Sequence, residues 1–308
     1  MKTLRDCFWE VIYNKALNDK DIVIVCADMG APALDQFKIN LSSQFVNVGI
    51  AEQNAVSVAA GLALNGKKVF VYAIAPFVTL RCYEQTKVLL SAMKIPVTLV
   101  GVGAGFSYDD SGPTHHTIED ISVMRILPYM TVYNPSSLEQ IEQIAEWACS
   151  ADSPNYIRLD RHALPSAYSA DKDFSQGYAV TKKLADINIL CTGNILHNAL
   201  KAAEALEKEG INLGVVDVLS VPCQNERLVD ILRKSEKILS LEEHSLPGGF
   251  GSYILELANN YDVKTHIKRI GLNFENGYCY TYGGRENMQK ACGIDVDSIV
   301  KETRKLMG

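Results

Sequence analysis

FVNVGIAEQNAVSVAAGLA, residues 45–63, is the stretch whose reading decides the fold. A short apolar segment runs into Gly49-Ile50, and a single carboxylate, Glu52, then opens a helix rich in small residues. Ala55, Val58, Ala59 and Leu62 fall at i, i+3, i+4 and i+7, which makes one buried helical face. Gly61 and the alanines allow another backbone to pack closely. An acid at the mouth of such a helix either complements the helix dipole or serves chemistry.

Working outward, short apolar runs recur at 21–27 (DIVIVCA), 68–73 (KVFVYA), 96–102 (PVTLVGV), 130–133 and 156–159. They suit strands buried on both faces of a parallel sheet. Helical patterns at 52–64, 78–93, 118–127 and 137–149 separate them, so right-handed crossovers and a doubly wound α/β layer are expected over residues 1–165. The periodicity lapses in a polar stretch at 162–181 with Pro165 and Gly177, which places an interdomain linker at 166–180. A second doubly wound α/β domain is expected over 181–308. Its strands are expected at 187–191, 212–218, 237–241 and 265–270, and its helices at 197–208, 226–235, 248–259 and 295–307.

The chain has 308 residues, of which 47% are hydrophobic and 21% charged, enough for two globular domains with full cores. A net charge of −6 gives no electrostatic case for nucleic acid or an anionic membrane. Eight scattered cysteines without CxxC or Cys/His ligand spacing suit reduced, buried thiols. The first 18 residues form an amphipathic helix pattern with no apolar leader region, so a cytoplasmic protein is expected.

The long non-periodic insertion at 103–117 follows a strand, the edge where open α/β sheets place ligands. It contains GPTHH, in which His115 and His116 stand behind Asp109, Asp110 and Ser111 on a Gly112-Pro113 turn. A neutral imidazole can donate to or accept from a substrate oxygen, although paired surface histidines are also often incidental. Phe77 and Tyr83 either pack the start of a helix or wall a planar heterocycle. Arg158 and Arg161, in YIRLDRHALP, are either ion-pair anchors or a fork for phosphate or carboxylate. Glu242, Glu243 and His244 suit a structural or domain-contact role. GVGAG does not open a helix and is a loop hinge rather than a dinucleotide fingerprint.

Four ordered segments, GIAEQNAVSVAAGLAL, AIAPFVTLRCYEQ, DDSGPTHHTIEDISVMRILPYMTV and LSLEEHSLPGGFGS, resemble the transketolase-like thiamin-diphosphate enzymes. More narrowly, the chain resembles the carboxy-terminal subunit of split transketolases and is similar to 1-deoxyxylulose-5-phosphate synthase. The resemblance spans nearly the whole chain. It implies a pyrimidine-binding domain followed by a transketolase C-terminal-like domain. It also implies Glu52 as the carboxylate that shares a proton with the cofactor's aminopyrimidine, with Phe77 stacked on that ring and Tyr83 and Ile50 beside it. His115 then contacts substrate oxygens, Arg161 takes a substrate phosphate, and Asp110 and Ser111 complete the substrate set.

Two departures stand out. Ser111 precedes GPTH where the family has an acid, with Asp110 one place earlier, and Gly103 or a neighbour in GVGAGF is the best match to a family histidine. The resemblance implies that both family residues contact sugar hydroxyls, so a modified sugar or a 2-oxo acid donor is open. The family's Gly-Asp-Gly motif, which holds Mg²⁺ and the diphosphate, is missing from this sequence. The resemblance therefore implies an amino-terminal partner subunit that carries the metal and the diphosphate end. Two chains of each kind would form an α₂β₂ assembly, with transfer of a two-carbon ketol unit from a ketose phosphate to an aldose. The β-type subunit of a 2-oxo acid dehydrogenase or a decarboxylating synthase is the alternative with the same cofactor. A scaffold that kept the fold without activity is the non-enzymatic one.

Overall fold

A computed structural model describes residues 2–223, 225–273 and 277–307. Twelve strands form two sheets among them. In the first domain β1 (Ile22–Cys26), β2 (Phe45–Asn47), β3 (Lys68–Ile74), β4 (Val97–Val102), β5 (Thr131–Tyr133) and β6 (Asn155–Leu159) are all mutually parallel. The second domain contributes β7 (Tyr178–Lys182), β8 (Ile187–Cys191), β9 (Leu213–Val218), β10 (Ser220–Val221), β11 (Lys237–Ser245) and β12 (His266–Leu272). The sheet orders are β10-β5-β6-β4-β3-β1-β2 and β12-β11-β8-β9-β7.

Every residue of β1, β4, β6, β8 and β9 is buried, which is why these segments are mostly apolar rather than alternating; the buried Arg158 of β6, Asn188 of β8 and Asp217 of β9 are each hydrogen-bonded. The first helix, Leu4–Ala16, is capped by the Thr3 hydroxyl, which accepts the Asp6 N–H at 3.1 Å. It turns Phe8 and Trp9 inward to meet Phe70 and Tyr72 of β3 edge to face. The helix Glu52–Leu64 buries Ala55, Val56, Ala59 and Ala60 against the other face of the same sheet. No helix among the described residues is long and apolar enough to cross a membrane.

The structure departs from the sequence reading at four places, each for a local reason. The helix expected at 78–93 is broken into Ala75–Thr79, Tyr83–Gln85 and a π-helical turn at Thr86–Ser91. Wide i→i−5 bonds such as Arg81 N–H to Pro76 O mark the breaks. The helix expected at 118–127 shrinks to Asp120–Met124, because Thr117 bridges to Gly105 and the Ile118 carbonyl accepts the Ser245 N–H. The helix expected from 248 begins at Phe250, where the Glu242 carboxylate takes the Phe250 and Gly251 N–H groups at 2.6 and 2.8 Å. Finally, β7 occupies the end of the polar stretch and pairs antiparallel with β9. The short β10, beyond the linker, crosses back to add an antiparallel edge to the first sheet.

The crossover region is stitched by Asp217 of β9. One of its oxygens accepts from Ser136 Oγ (2.6 Å), Gln140 Nε2 (2.8 Å) and Tyr168 Oη (2.6 Å). Burial pushes its carboxyl up to about 6, against the lowering pull of those three donors. The folded chain therefore keeps a proton that the unfolded chain loses near pH 3.8. That contribution is complete below pH 3.8 and is lost as pH rises through about 6, an effect of at most ~3 kcal/mol at 1.36 kcal/mol per unit. We expect Asp217→Asn to gain thermal stability relative to wild type as pH rises from 4 to 7. A melting-temperature difference that stays flat across that range would refute the assignment.

Candidate active site

Glu52 sits at the first position of its helix with its side chain only 7% exposed. The preceding Gly49 has φ +75°, a left-handed turn that suits glycine and brings the chain from β2 into the helix. Arg81, released by the break after Thr79, reaches back and donates from Nη1 to Glu52 Oε1 at 2.8 Å. Its guanidinium lies over the Phe77 ring, 4.0 Å from the centroid. Glu52 and Phe77 thus share one planar, nitrogen-bearing group between a carboxylate and an aromatic face.

Next to Phe77 stands His115, with ring centroids 5.4 Å apart and the planes steeply inclined. Its Nδ1 is 2.9 Å from Thr114 Oγ1. Tyr108 lies on its far side at 5.7 Å, and the Arg161 guanidinium caps Tyr108 at 4.7 Å. Arg161 also donates to Asp110 at 3.1 Å, and the Ser111 hydroxyl donates to the same Asp110 oxygen at 2.8 Å. The Ser111 hydroxyl and Arg161 together hold the Asp110 carboxyl below the usual carboxylate range. One continuous row therefore runs from Glu52 through Phe77, His115 and Tyr108 to Arg161, Asp110 and Ser111.

Not every expected residue joins this row. Ile50 is 81% exposed at the mouth of the helix. Tyr83 is half-buried against the core of the Glu52–Leu64 helix, and among the described residues it forms no ring pair with Phe77. His116 is buried and meets Phe106 edge-on at 5.1 Å; burial lowers its pKa although Glu243 pulls the other way. Arg158 is an internal anchor, 2% exposed, bonded to Asp120 at 2.8 Å and to the Thr117 carbonyl at 2.6 Å. His244 is buried, its Nε2 accepting the Ile121 N–H at 3.1 Å. Its neighbour Glu243 makes the main domain contact.

That contact centres on a residue the sequence reading passed over. Arg285, from the second domain, donates to Glu243 (2.6 Å from Nη2), to Asp160 (2.5 Å) and to the Ala104 carbonyl (3.2 Å). Its backbone N–H donates to Asp109 at 3.0 Å. Glu243 also accepts the Phe106 N–H at 2.7 Å, and Asp160 accepts from Ser107 Oγ at 2.8 Å. Burial alone would raise the Glu243 carboxyl, but Arg285, Gln289 and Phe106 leave it below its ordinary value. Residues 104–109, the root of the loop bearing Asp110, Ser111 and His115, are fastened at each of these points. Among the described residues no group of three or more His, Cys, Asp or Glu side chains is arranged to hold a metal ion.

Comparison with known proteins assigns both halves. Residues 1–166 match the transketolase pyrimidine-binding domain and residues 177–299 the transketolase C-terminal domain. The chain is 37% identical to a subunit of the apulose-4-phosphate transketolase of Actinobacillus succinogenes, over 92% of this chain and 91% of that one. It is 30% identical to the 1-deoxy-D-xylulose-5-phosphate synthase of Clostridium tetani, over 99% of this chain but 49% of that longer protein. A split-gene transketolase solved as an inactive β4 tetramer superposes with a TM-score of 0.88 at 29% identity, over 99% of this chain and 98% of that one.

Replacing Arg285 by Met leaves Glu243 and Asp160 buried without their cation. The expected cost is about 3–5 kcal/mol in denaturant unfolding, with faster amide exchange across 104–109. If neither stability nor exchange changes, the network does not hold the loop.

Proposed function

The chain belongs to the transketolase family, and on that premise we propose that it is the carboxy-terminal, pyrimidine-binding subunit of a two-component transketolase. It transfers a two-carbon ketol unit from a ketose phosphate donor to an aldose acceptor. The observation that carries this reading is the Glu52–Arg81–Phe77 arrangement. A flat N–H-bearing group already lies on Phe77 and donates to Glu52, the contacts an aminopyrimidine needs, so these residues fit the pyrimidine end of thiamin diphosphate. When bound, that cofactor supplies the carbon nucleophile for bond-making beside a carbonyl.

The chain's own residues do the rest. Glu52 holds a proton at the pyrimidine nitrogen, and burial beside an aromatic face keeps water from competing for it. His115 meets substrate oxygens near the reacting carbon as donor or acceptor. Arg161 presents a fork to the phosphate, and Asp110 and Ser111 face sugar hydroxyls. Tyr83 and Ile50 border the pyrimidine. Mg²⁺ and the diphosphate belong to an amino-terminal partner, because the chain carries no Gly-Asp-Gly motif. The working form is an α₂β₂ heterotetramer in the cytoplasm; the inactive β4 state of the split-gene relative supports this need for a second subunit. Ser111, and Gly103 or a neighbour in GVGAGF, speak for a modified sugar or a 2-oxo acid as donor rather than an ordinary pentose phosphate.

In the complex reconstituted with the amino-terminal subunit, we expect Glu52→Gln to lower ketol transfer by roughly 10²–10⁴-fold, and the isolated chain to turn over nothing. Full activity in Glu52→Gln would remove Glu52 from the chemistry, and turnover by the chain alone would end the split-site reading. Carbon dioxide release from pyruvate without ketol transfer would move the assignment to the decarboxylating synthases, which the 1-deoxy-D-xylulose-5-phosphate synthase similarity keeps in view.

A further inference from the structure

The Arg81 guanidinium makes one hydrogen bond among the described residues, from Nη1 to Glu52 Oε1 at 2.8 Å, and lies 4.0 Å from the Phe77 ring centroid. These are the two surfaces that the functional reading gives to the cofactor's aminopyrimidine. The Glu52 side chain is 7% exposed, and a carboxylate that far out of water needs a donor. Arg81 supplies one, with a flat, delocalised cation that also stacks on an aromatic face. Its backbone is tied to the same place. Gln53, the neighbour of Glu52, donates from Nε2 to the Arg81 carbonyl at 3.1 Å, and the Cys82 thiol donates to the Phe77 carbonyl at 3.1 Å. The main chain is thus held on both sides, while the Arg81 side chain stays 45% exposed, with water beside it.

We propose that Arg81 is a displaceable placeholder for the aminopyrimidine ring and thereby sets how tightly this subunit takes its cofactor. The guanidinium keeps Glu52 paired and Phe77 covered, and it yields both contacts to a ring that can make them. The change asked of the chain is a side-chain rotation about a fixed backbone. The half-site is preformed in the subunit before the partner supplies the diphosphate end, yet every binding event must break the Arg81–Glu52 pair. Cofactor affinity is therefore lower than the Glu52 and Phe77 contacts alone would give. The inference rests on the transketolase-subunit reading, with Glu52 as the pyrimidine's partner.

The test uses the complex reconstituted with the amino-terminal subunit and Mg²⁺, titrated with thiamin diphosphate by calorimetry in the absence of sugar. Arg81→Met keeps much of the side chain's reach and removes its charge. We expect it to bind thiamin diphosphate about three- to tenfold more tightly than wild type, because the competing pair is gone. Arg81→Lys keeps the charge without the planar fork and falls between the two. Melting curves supply a readout independent of the titration. Before the cofactor is added the Arg81→Met complex melts below wild type, and at saturation the two melt together. Should Arg81→Met fail to assemble, Arg81→Ala takes its place on the same scale. Equal or weaker cofactor affinity in the variant overturns the proposal. So does a melting difference that persists unchanged at saturation, the mark of a merely structural arginine. If neither wild type nor variant binds thiamin diphosphate, the subunit reading itself fails; if both bind it alike, only the role of Arg81 does.

Discussion

A guanidinium from the second domain lies between two buried carboxylates, Glu243 and Asp160, whose side chains are 1% and 2% exposed. Taking three charges out of water carries a large desolvation cost. The arrangement holds because nearly every polar atom finds a partner: Arg285 bonds both acids and the Ala104 carbonyl, while Glu243 bonds the Phe106 N–H and Gln289. Removing any one member strands the charge of the others in the interior. The consequence is architectural. The loop that follows β4 in the first domain is fastened at its root, residues 104–109, by Arg285 and Glu243 of the second domain.

A second buried cluster backs the first. Arg158 of β6 bonds Asp120 and the Thr117 carbonyl, and Tyr156 donates to the same Asp120 oxygen at 2.7 Å. His244 of β11 closes that group from the second domain through the Ile121 N–H. The loop is therefore gripped at its root by Arg285 and at its end by Arg158. The segment between, with Asp110, Ser111 and His115, is left facing outward.

What the sequence made legible follows the range of the forces involved. Strands buried on both faces are mostly apolar, so β1 and β4 stand out as runs, while β6 and β8 admit Arg158 and Asn188 only because those side chains are hydrogen-bonded inside. The Glu52–Leu64 helix likewise declares itself by its small-residue face. Glu52, Phe77, His115 and Arg161 stand out because each lies in a locally distinctive segment. The break after Thr79 was not legible, since it comes from wider backbone bonding and from the pull of Glu52 on Arg81, a partner 29 residues away. Nor was β10, whose two residues pair with a strand of the other domain. Arg285 lies 42 residues from Glu243 and 125 from Asp160, beyond any periodicity.

The two arginine pairs of this site are built for opposite ends. Arg285 is 13% exposed and doubly paired, so breaking it strands buried charge at high cost. Arg81 is 45% exposed and keeps much of its hydration, while the Glu52 carboxylate beneath it is only 7% exposed. A ligand that stacks on Phe77 and bonds Glu52 would take over the two contacts Arg81 makes and return it to solvent, whereas displacing Arg285 would strand two buried carboxylates. A doubly paired buried cation holds the root of the loop after β4, and a half-exposed cation lies on Phe77 and Glu52. Glu52, the acid of its helix's first turn, therefore has as its partner a cation that the fold leaves half in solvent.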